Sequence, residues 1–390
     1  MAKLDDLFRI MVKQGASDLH LTTGAPPILR INGEMERLEY RDLTHEECKA
    51  LIFEILNEQQ RKLFTENWDL DCAYPVPDTG RFRCNIFMQR KGIGAVFRHI
   101  PEKIKTCEEL SLPKVMTDVI QASQGLILVT GPTGSGKSTT LAALINELNE
   151  KQKLHILTLE DPIEFVHPNK MALINQREVH VNTKSFADAL RAALREDPDV
   201  ILVGELRDPE TIGLALKAAE TGHLVFGTLH TMSAPKTIDR IIDSFPQDEQ
   251  PQVRSMLSES LKAVIAQVLL PKANGKGRVA AHEIMINNVA IGNLIRENKI
   301  FQIKSTMQIS KHEGMQTLDD CLNRLMQDGS ISVENGKALM GKSISAAVNA
   351  ATGGGGAPAA AGKPAAPGIP GIPGMAPGVP SNNPFVKKSS

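Results

Sequence analysis

No stretch of this 390-residue chain approaches the roughly 18 consecutive apolar residues that span a bilayer, so membrane association would have to come through a partner. Its first turns carry Lys3, Asp5, Asp6 and Arg9, which leaves no room for the apolar core of a secretory signal. Cysteine is sparse and unpatterned. Cys48, Cys72, Cys84, Cys107 and Cys321 include no C-x-x-C pair, and the odd number without zinc spacing points to free thiols in a reducing cytosol. Neither charge dominates: 44 Lys and Arg stand against 45 Asp and Glu, so electrostatics alone does not point to nucleic acid. What remains is an ordinary soluble composition, 42% apolar and 23% charged, long enough for two or three domains.

One segment is far from ordinary. Gly131-Pro132-Thr133-Gly134-Ser135-Gly136-Lys137-Ser138 is a complete phosphate-binding loop. The apolar run Leu126–Val129 precedes it, and Thr139-Thr140-Leu-Ala-Ala-Leu-Ile-Asn-Glu-Leu follows with helical amphipathicity. The glycines let backbone N–H groups close around phosphate oxygens, and the helix N-terminus adds partial positive charge. Lys137 is expected to reach the β- and γ-phosphates and Ser138 to bind Mg²⁺, with Thr139 completing the loop. A nucleoside triphosphate is the expected ligand.

Residues 1–100 mix a helix at Leu4–Gln14 with strand-like segments at Ile28–Ile31, Arg81–Phe87 and Gly94–Arg98. Thr44 opens a second helix, with Glu47 at the capping-box position. This predicts a small α+β domain. Residues 101–113 read as a linker bounded by Pro101 and Pro113. From Lys114 to about residue 345, apolar strands at Leu126–Thr130, His155–Leu159, Val200–Gly204 and Leu224–Leu229 alternate with helices. That alternation predicts an open, largely parallel α/β sheet, and such sheets bind ligands beyond the carboxyl ends of their strands. Helices are expected at Ala290–Asn298 and Thr317–Gln327. Residues 346–390 are so rich in Gly and Pro that they cannot bury a core, which predicts a disordered tail.

The polar clusters follow those strands. Glu160-Asp161-Pro162-Ile163-Glu164 would bring three carboxylates to a triphosphate, where one can orient or deprotonate the attacking water. After Val200-Ile-Leu-Val, Gly204 stands where many such proteins carry a metal-binding Asp, and Glu205 follows one place later. Arg207 and Asp208 come next, candidates for pairing across a subunit boundary. His223 and His230 flank the strand Leu224–Leu229 and are expected to face the same sheet edge, His230 as a γ-phosphate sensor.

Taken together these elements resemble the secretion ATPases of type II secretion and type IV pili, and more narrowly the type IV pilus retraction ATPases, the motors of twitching motility. The motifs are Gly15-Ala-Ser-Asp-Leu-His20, Gly80-Arg81-Phe82-Arg83, the loop Gly131–Ser138, the acidic box Glu160–Glu164, the displaced Walker B segment Val200–Glu205 and the histidine box Gly222–Thr231. They cover about Leu4 to Ser332. The resemblance implies a PAS-like N-terminal domain, a RecA-like ATPase domain and a homo-hexameric ring using ATP and Mg²⁺. It implies that Arg81 and Arg83 approach a nucleotide, and that Ser138 and Glu205 serve the metal. Glu205 or Glu164 would then be the catalytic base. It further implies a cytoplasmic motor that sits at the inner membrane through a pilus platform protein, without membrane insertion or nucleic acid.

Extension motors of that family carry a tetracysteine zinc insertion and a further N-terminal domain. Only Cys321 follows Cys107 here, and the first domain begins almost at Met1, which favours retraction. The retraction signature A-I-R-N-L-I-R-E reads Ala290-Ile-Gly292-Asn-Leu-Ile-Arg296-Glu297. Gly292 replaces an arginine, and a helical Gly costs about 1 kcal/mol relative to Ala. That departure keeps open an accessory paralogue that assists another pilus ATPase; a second alternative, a RecA-like nucleic-acid translocase, would share the fold, but a near-neutral chain offers little basic track.

Overall fold

The computed structural model describes residues 3–31, 34–100, 103–275 and 277–340. The expected tail at 346–390 lies outside them. Among the described residues two sheets form, one of six strands and one of seven.

The first sheet belongs to the N-terminal region. Helix α1 (Lys3–Lys13) leads into β1 (Asp18–Thr22), β2 (Ile28–Ile31) and β3 (Glu34–Arg37). Then come α2 (His45–Glu54), α3 (Glu58–Asn67), β4 (Asp69–Val76), β5 (Gly80–Gln89) and β6 (Gly92–Ile100). The strands pair antiparallel in the order β3-β2-β1-β6-β5-β4. Leu4, Phe8 and Met11 recur at helical spacing on α1 and are fully buried, Phe8 stacking on Phe82 at 4.1 Å. The predicted Thr44–Glu47 capping box is formed at α2, and Asn57–Gln60 forms another at α3. Along β5 the pleat sends Phe82, Cys84 and Ile86 into this core and Arg81 and Arg83 to the opposite face. That alternation puts two arginines on the outward face of one strand.

The second sheet begins after α4 (Lys114–Val119) with β7 (Gly125–Thr130), α5 (Lys137–Lys151), β8 (His155–Glu160) and β9 (Leu173–Glu178). It continues through α6 (Phe186–Ala193), β10 (Val200–Val203), α7 (Pro209–Glu220) and β11 (Leu224–Leu229). After α8 (Ala234–Ile242) and α9 (Gln250–Ser260) it closes with β12 (Leu261–Pro271) and β13 (Arg278–Ile286). Helices α10 (Val289–Arg296), α11 (Ile303–Ile309) and α12 (Leu318–Gln327) follow. The order is β13-β12-β7-β11-β10-β8-β9, all parallel except the β12–β13 pair. Strands β7, β10 and β11 are buried along their whole length, as continuous apolar runs require in a sheet covered on both faces. On β7, Leu126 and Leu128 share a core with Ile212 and Leu216 of α7, while Ile127 and Val129 share one with Leu144 and Leu148 of α5. The long hairpin β12–β13 was not among the expected strands.

The connector is less loose than its prolines suggest. Cys107 is buried, and its thiol donates to the Ala143 carbonyl of α5 at 3.6 Å. All five cysteines are free and buried.

Candidate active site

The phosphate-binding loop leaves the carboxyl end of β7. Gly131 holds φ +143, and a Cβ there would fall 2.2 Å from the Gln267 backbone oxygen on β12. Gly136 holds φ +89 as the N-cap of α5, with no side chain capping the helix. By contrast Ser185 and Asp208 cap α6 and α7. The first amides of α5 therefore have no side-chain acceptor, which suits an anionic ligand. Gln267 supports the loop from beneath, its amide donating to the Ser135 carbonyl at 2.7 Å. Lys137 Nζ donates to the Gly131 and Pro132 carbonyls at 2.9 and 3.4 Å. Burial lowers its pKa, against the opposing pull of Glu205 and Glu164. Lys137 and Ser138 share the wall of a cavity of about 60 Å³ with Glu160, His167 and Thr228.

Gly204 sits where a metal-binding Asp is common, and a side chain would be crowded there. Its N–H donates to the Leu159 carbonyl at 2.7 Å, and a Cβ would approach that oxygen to 3.0 Å. The carboxylate comes one place later, on Glu205. One Glu205 oxygen pairs with Arg207 at 2.6 Å and the other lies 3.2 Å from His230 Nε2. Burial pushes the Glu205 carboxyl up, but its bond to Arg207, together with the charges of Arg207, His230 and Lys137, outweighs this and holds it below the usual range. His230 Nδ1 lies 3.5 Å from Lys137 Nζ. Lys137, His230, Glu205 and Arg207 thus form one polar row across the ends of β7, β11 and β10.

Within the chain Arg207 is engaged by Glu205, and Asp208 caps α7 through the Thr211 N–H at 2.8 Å. His223 departs from expectation. It precedes β11, so it lies at the opposite end of that strand from His230, with its Nδ1 3.0 Å from the Ala218 carbonyl.

The acidic turn after β8 shares out its carboxylates. Glu160 points inward, accepting from Thr158 Oγ1 at 2.7 Å and Gln176 Nε2 at 3.1 Å. Burial pushes its carboxyl up to about 7 despite those bonds. Asp161 precedes a cis proline, and its charge acts on Arg83 and Arg207. Glu164 Oε1 lies 3.9 Å from Arg83 Nη1. Arg83 also pairs with Asp71 at 2.7 Å, and Arg81 pairs with Glu178 at 2.9 Å. Both arginines of β5 therefore reach the acidic edge of the second sheet.

Gln267 and Glu178 were not recognised in the sequence. Gln267 is a lone amide in an apolar run, a weak signal; Glu178 ends a polar edge strand with nothing to mark it.

A parallel sheet with a complete phosphate loop, a carboxylate on the strand two places away and a histidine beside both defines a RecA-like P-loop ATPase carrying an antiparallel N-terminal domain. Residues 102–337 match the family model described as Type II/IV secretion system protein, and the chain belongs to that family. It is 58% identical to the type IV pilus retraction ATPase PilT of Pseudomonas aeruginosa over 86% of this chain and 97% of the relative. It is 56% identical to a twitching motility protein of Neisseria gonorrhoeae, covering 79% of this chain and 82% of the relative. A crystal structure of the pilus retraction motor PilT with bound ADP superimposes with a TM-score of 0.79 at 49% identity, covering 86% and 96% of the two chains. The chain is a nucleotide-binding ATPase. Among the described residues no helix is long and apolar enough to cross a membrane.

Proposed function

We propose that this chain is a motor of type IV pilus retraction, working as a homo-hexameric ring that couples ATP hydrolysis to pilus disassembly and twitching motility. The observation that carries the reading is the Lys137–His230–Glu205 row at the mouth of the phosphate loop, in a chain so similar over most of its length to a retraction ATPase. Residues 1–100 form the PAS-like domain, 101–113 the linker and 114–345 the ATPase domain.

Gly131 to Thr139 hold the phosphates, chiefly through backbone N–H groups and Lys137. Ser138 and Glu205 are the residues that would hold Mg²⁺, whose chemistry is to neutralise charge on the phosphate oxygens. Glu205 organises the attacking water, with Glu164 the alternative base and Glu160 and Asp161 shaping the acidic wall. His230 reads the γ-phosphate through its contacts to Lys137 and Glu205. Arg81 and Arg83 bring cationic charge from the N-terminal domain, so loss of the γ-phosphate changes how the two domains meet. The ring acts in the cytoplasm on an inner-membrane platform protein, alone or beside paralogous pilus ATPases.

Pilus retraction in cells lacking this protein, complemented with wild type or Lys137→Ala, tests the reading. Rescue by wild type alone supports a motor acting through its own ATP site. Rescue by both would instead make the chain an assistant to another ATPase.

A further inference from the structure

Glu178 closes β9 at the same sheet edge as the acidic turn, its backbone in register with Glu160 on β8. Its side chain is 8% exposed. A single oxygen, Oε2, accepts from the Ile163 N–H at 3.1 Å and from Arg81 Nη2 at 2.9 Å. The Glu178 N–H in turn donates to Asn182 Oδ1 at 3.0 Å. The Ile163 peptide immediately precedes Glu164, so the backbone beside a candidate base and a guanidinium from the other sheet are fixed by one atom.

A carboxylate this buried is costly unless charge and hydrogen bonds compensate it. Arg81 provides the charge, yet its own fork is half used, because Arg81 Nε is buried and has no hydrogen-bond acceptor. Next to it, Arg83 lies 3.9 Å from Glu164 itself. Two neighbouring outward positions of one strand thus grip the acidic turn at two points, and both grips run through β5.

We infer that Glu178 is a positioning residue for ATP turnover: it ties the Arg81 guanidinium to the backbone that carries Glu164. Displacement of β5 is then felt at the acidic turn, and displacement of the turn is felt at Arg81. The inference rests on the reading of Arg81 and Glu164 as groups that face the nucleotide. It adds a residue of the ATPase domain through which the N-terminal domain acts.

The test is steady-state ATP turnover of the full chain for Glu178→Gln, Arg81→Ala and the double variant, with amide exchange followed at Ile163. Glu178→Gln keeps an acceptor for the Ile163 N–H but removes the charge that holds Arg81. It should lower kcat about tenfold with KM for ATP changed less than about twofold, and the double variant should be no slower than the worse single one. Arg81→Ala leaves Glu178 in place, so faster exchange at Ile163 in that variant reports coupling even if Glu178→Gln loosens the fold. Effects on kcat that multiply, or unchanged exchange at Ile163 in Arg81→Ala, would overturn the inference. Normal turnover in Glu178→Gln with slow Arg81→Ala would overturn it alone. Normal turnover in Arg81→Ala would remove the reading beneath it.

Discussion

His230 Nε2 lies 3.2 Å from a Glu205 oxygen, and through that contact the strand after α7 is tied to the strand before it. Glu205 is also bound by Arg207 at 2.6 Å, and although burial pushes its carboxyl up, that bond and the nearby charge of Lys137 hold it below the usual carboxylate range. An ionised carboxylate at that place can take a proton from an attacking water, whereas the methyl group of alanine cannot. Glu205→Ala is therefore expected to lower ATP turnover by about 10²–10³ while ADP affinity changes by less than about fivefold. Parallel turnover assays and calorimetric ADP titrations check this, and normal turnover would remove Glu205 from the chemistry.

The loop itself depends on a residue of another strand. Gln267 donates to the Ser135 carbonyl at 2.7 Å, and its backbone oxygen occupies the space a side chain at 131 would need. Gln267→Leu keeps most of the volume but leaves the Ser135 carbonyl without that donor, at a cost of about 1–3 kcal/mol. ADP affinity should fall along with the denaturation midpoint, and saturating ADP should recover part of the lost midpoint. A variant with unaltered ADP affinity would mean that the glycines alone shape the loop.

These two cases mark what could be read in advance. Glu205 follows an apolar run at a strand end, and Gly131 to Ser138 carry the spacing of a phosphate-binding loop between a strand and a helix. The positions of both at strand ends were legible, as were β7, β8, β10 and β11, because short apolar runs between turn signals are how a doubly covered sheet is written. The stretch Leu261–Pro271 is also almost continuously apolar, but a run of that length fits a buried helix equally well, so β12 and its Gln267 went unassigned. Arg81 announced itself by alternation with Phe82, whereas its partner Glu178 lies 97 residues away and only the tertiary fold joins them. The assignment of His223 to the phosphate edge failed for a simpler reason: residues that flank one strand stand at opposite ends of it.

Glu160 gives a pH signature. Burial raises its carboxyl from an ordinary 4.5 to about 7, against the lowering effect of Thr158 and Gln176. The folded state therefore holds this proton more tightly than the unfolded chain does. By linkage the contribution of Glu160 to stability is favourable when it is protonated, declines as pH rises from about 4.5 to about 7, and is flat beyond. Glu160→Gln keeps an oxygen for Thr158 and Gln176 without the charge. Its stability should exceed that of wild type by roughly 3 kcal/mol at pH 8, with much of the difference gone at pH 5. Chemical denaturation at the two pH values decides it, and an equal midpoint at pH 8 would mean the ionised carboxylate is solvated.

Gly292 is the position where the chain departs from the retraction signature, and the packing gives that departure a physical content. It lies buried on α10, where an added Cβ would stand 3.3 Å from the Ser258 carbonyl of α9 and 3.6 Å from Asn287 Oδ1. The Ser258 carbonyl is not free to retreat, because it accepts from Asn287 Nδ2 at 2.9 Å. The close approach also lets Arg296 reach Ser258 Oγ at 3.2 Å. Gly292→Ala gains up to about 1 kcal/mol of helix propensity and loses a similar amount to crowding, so its denaturation midpoint should stay near that of wild type. Gly292→Arg restores the residue of the signature but must lift α10 away from α9, at about 1–3 kcal/mol. If that separation is what the glycine prevents, Gly292→Arg will hydrolyse ATP normally but unfold earlier, with no gain in retraction speed measured in single cells. Faster retraction from a stable Gly292→Arg protein would mean that the glycine had weakened the motor instead.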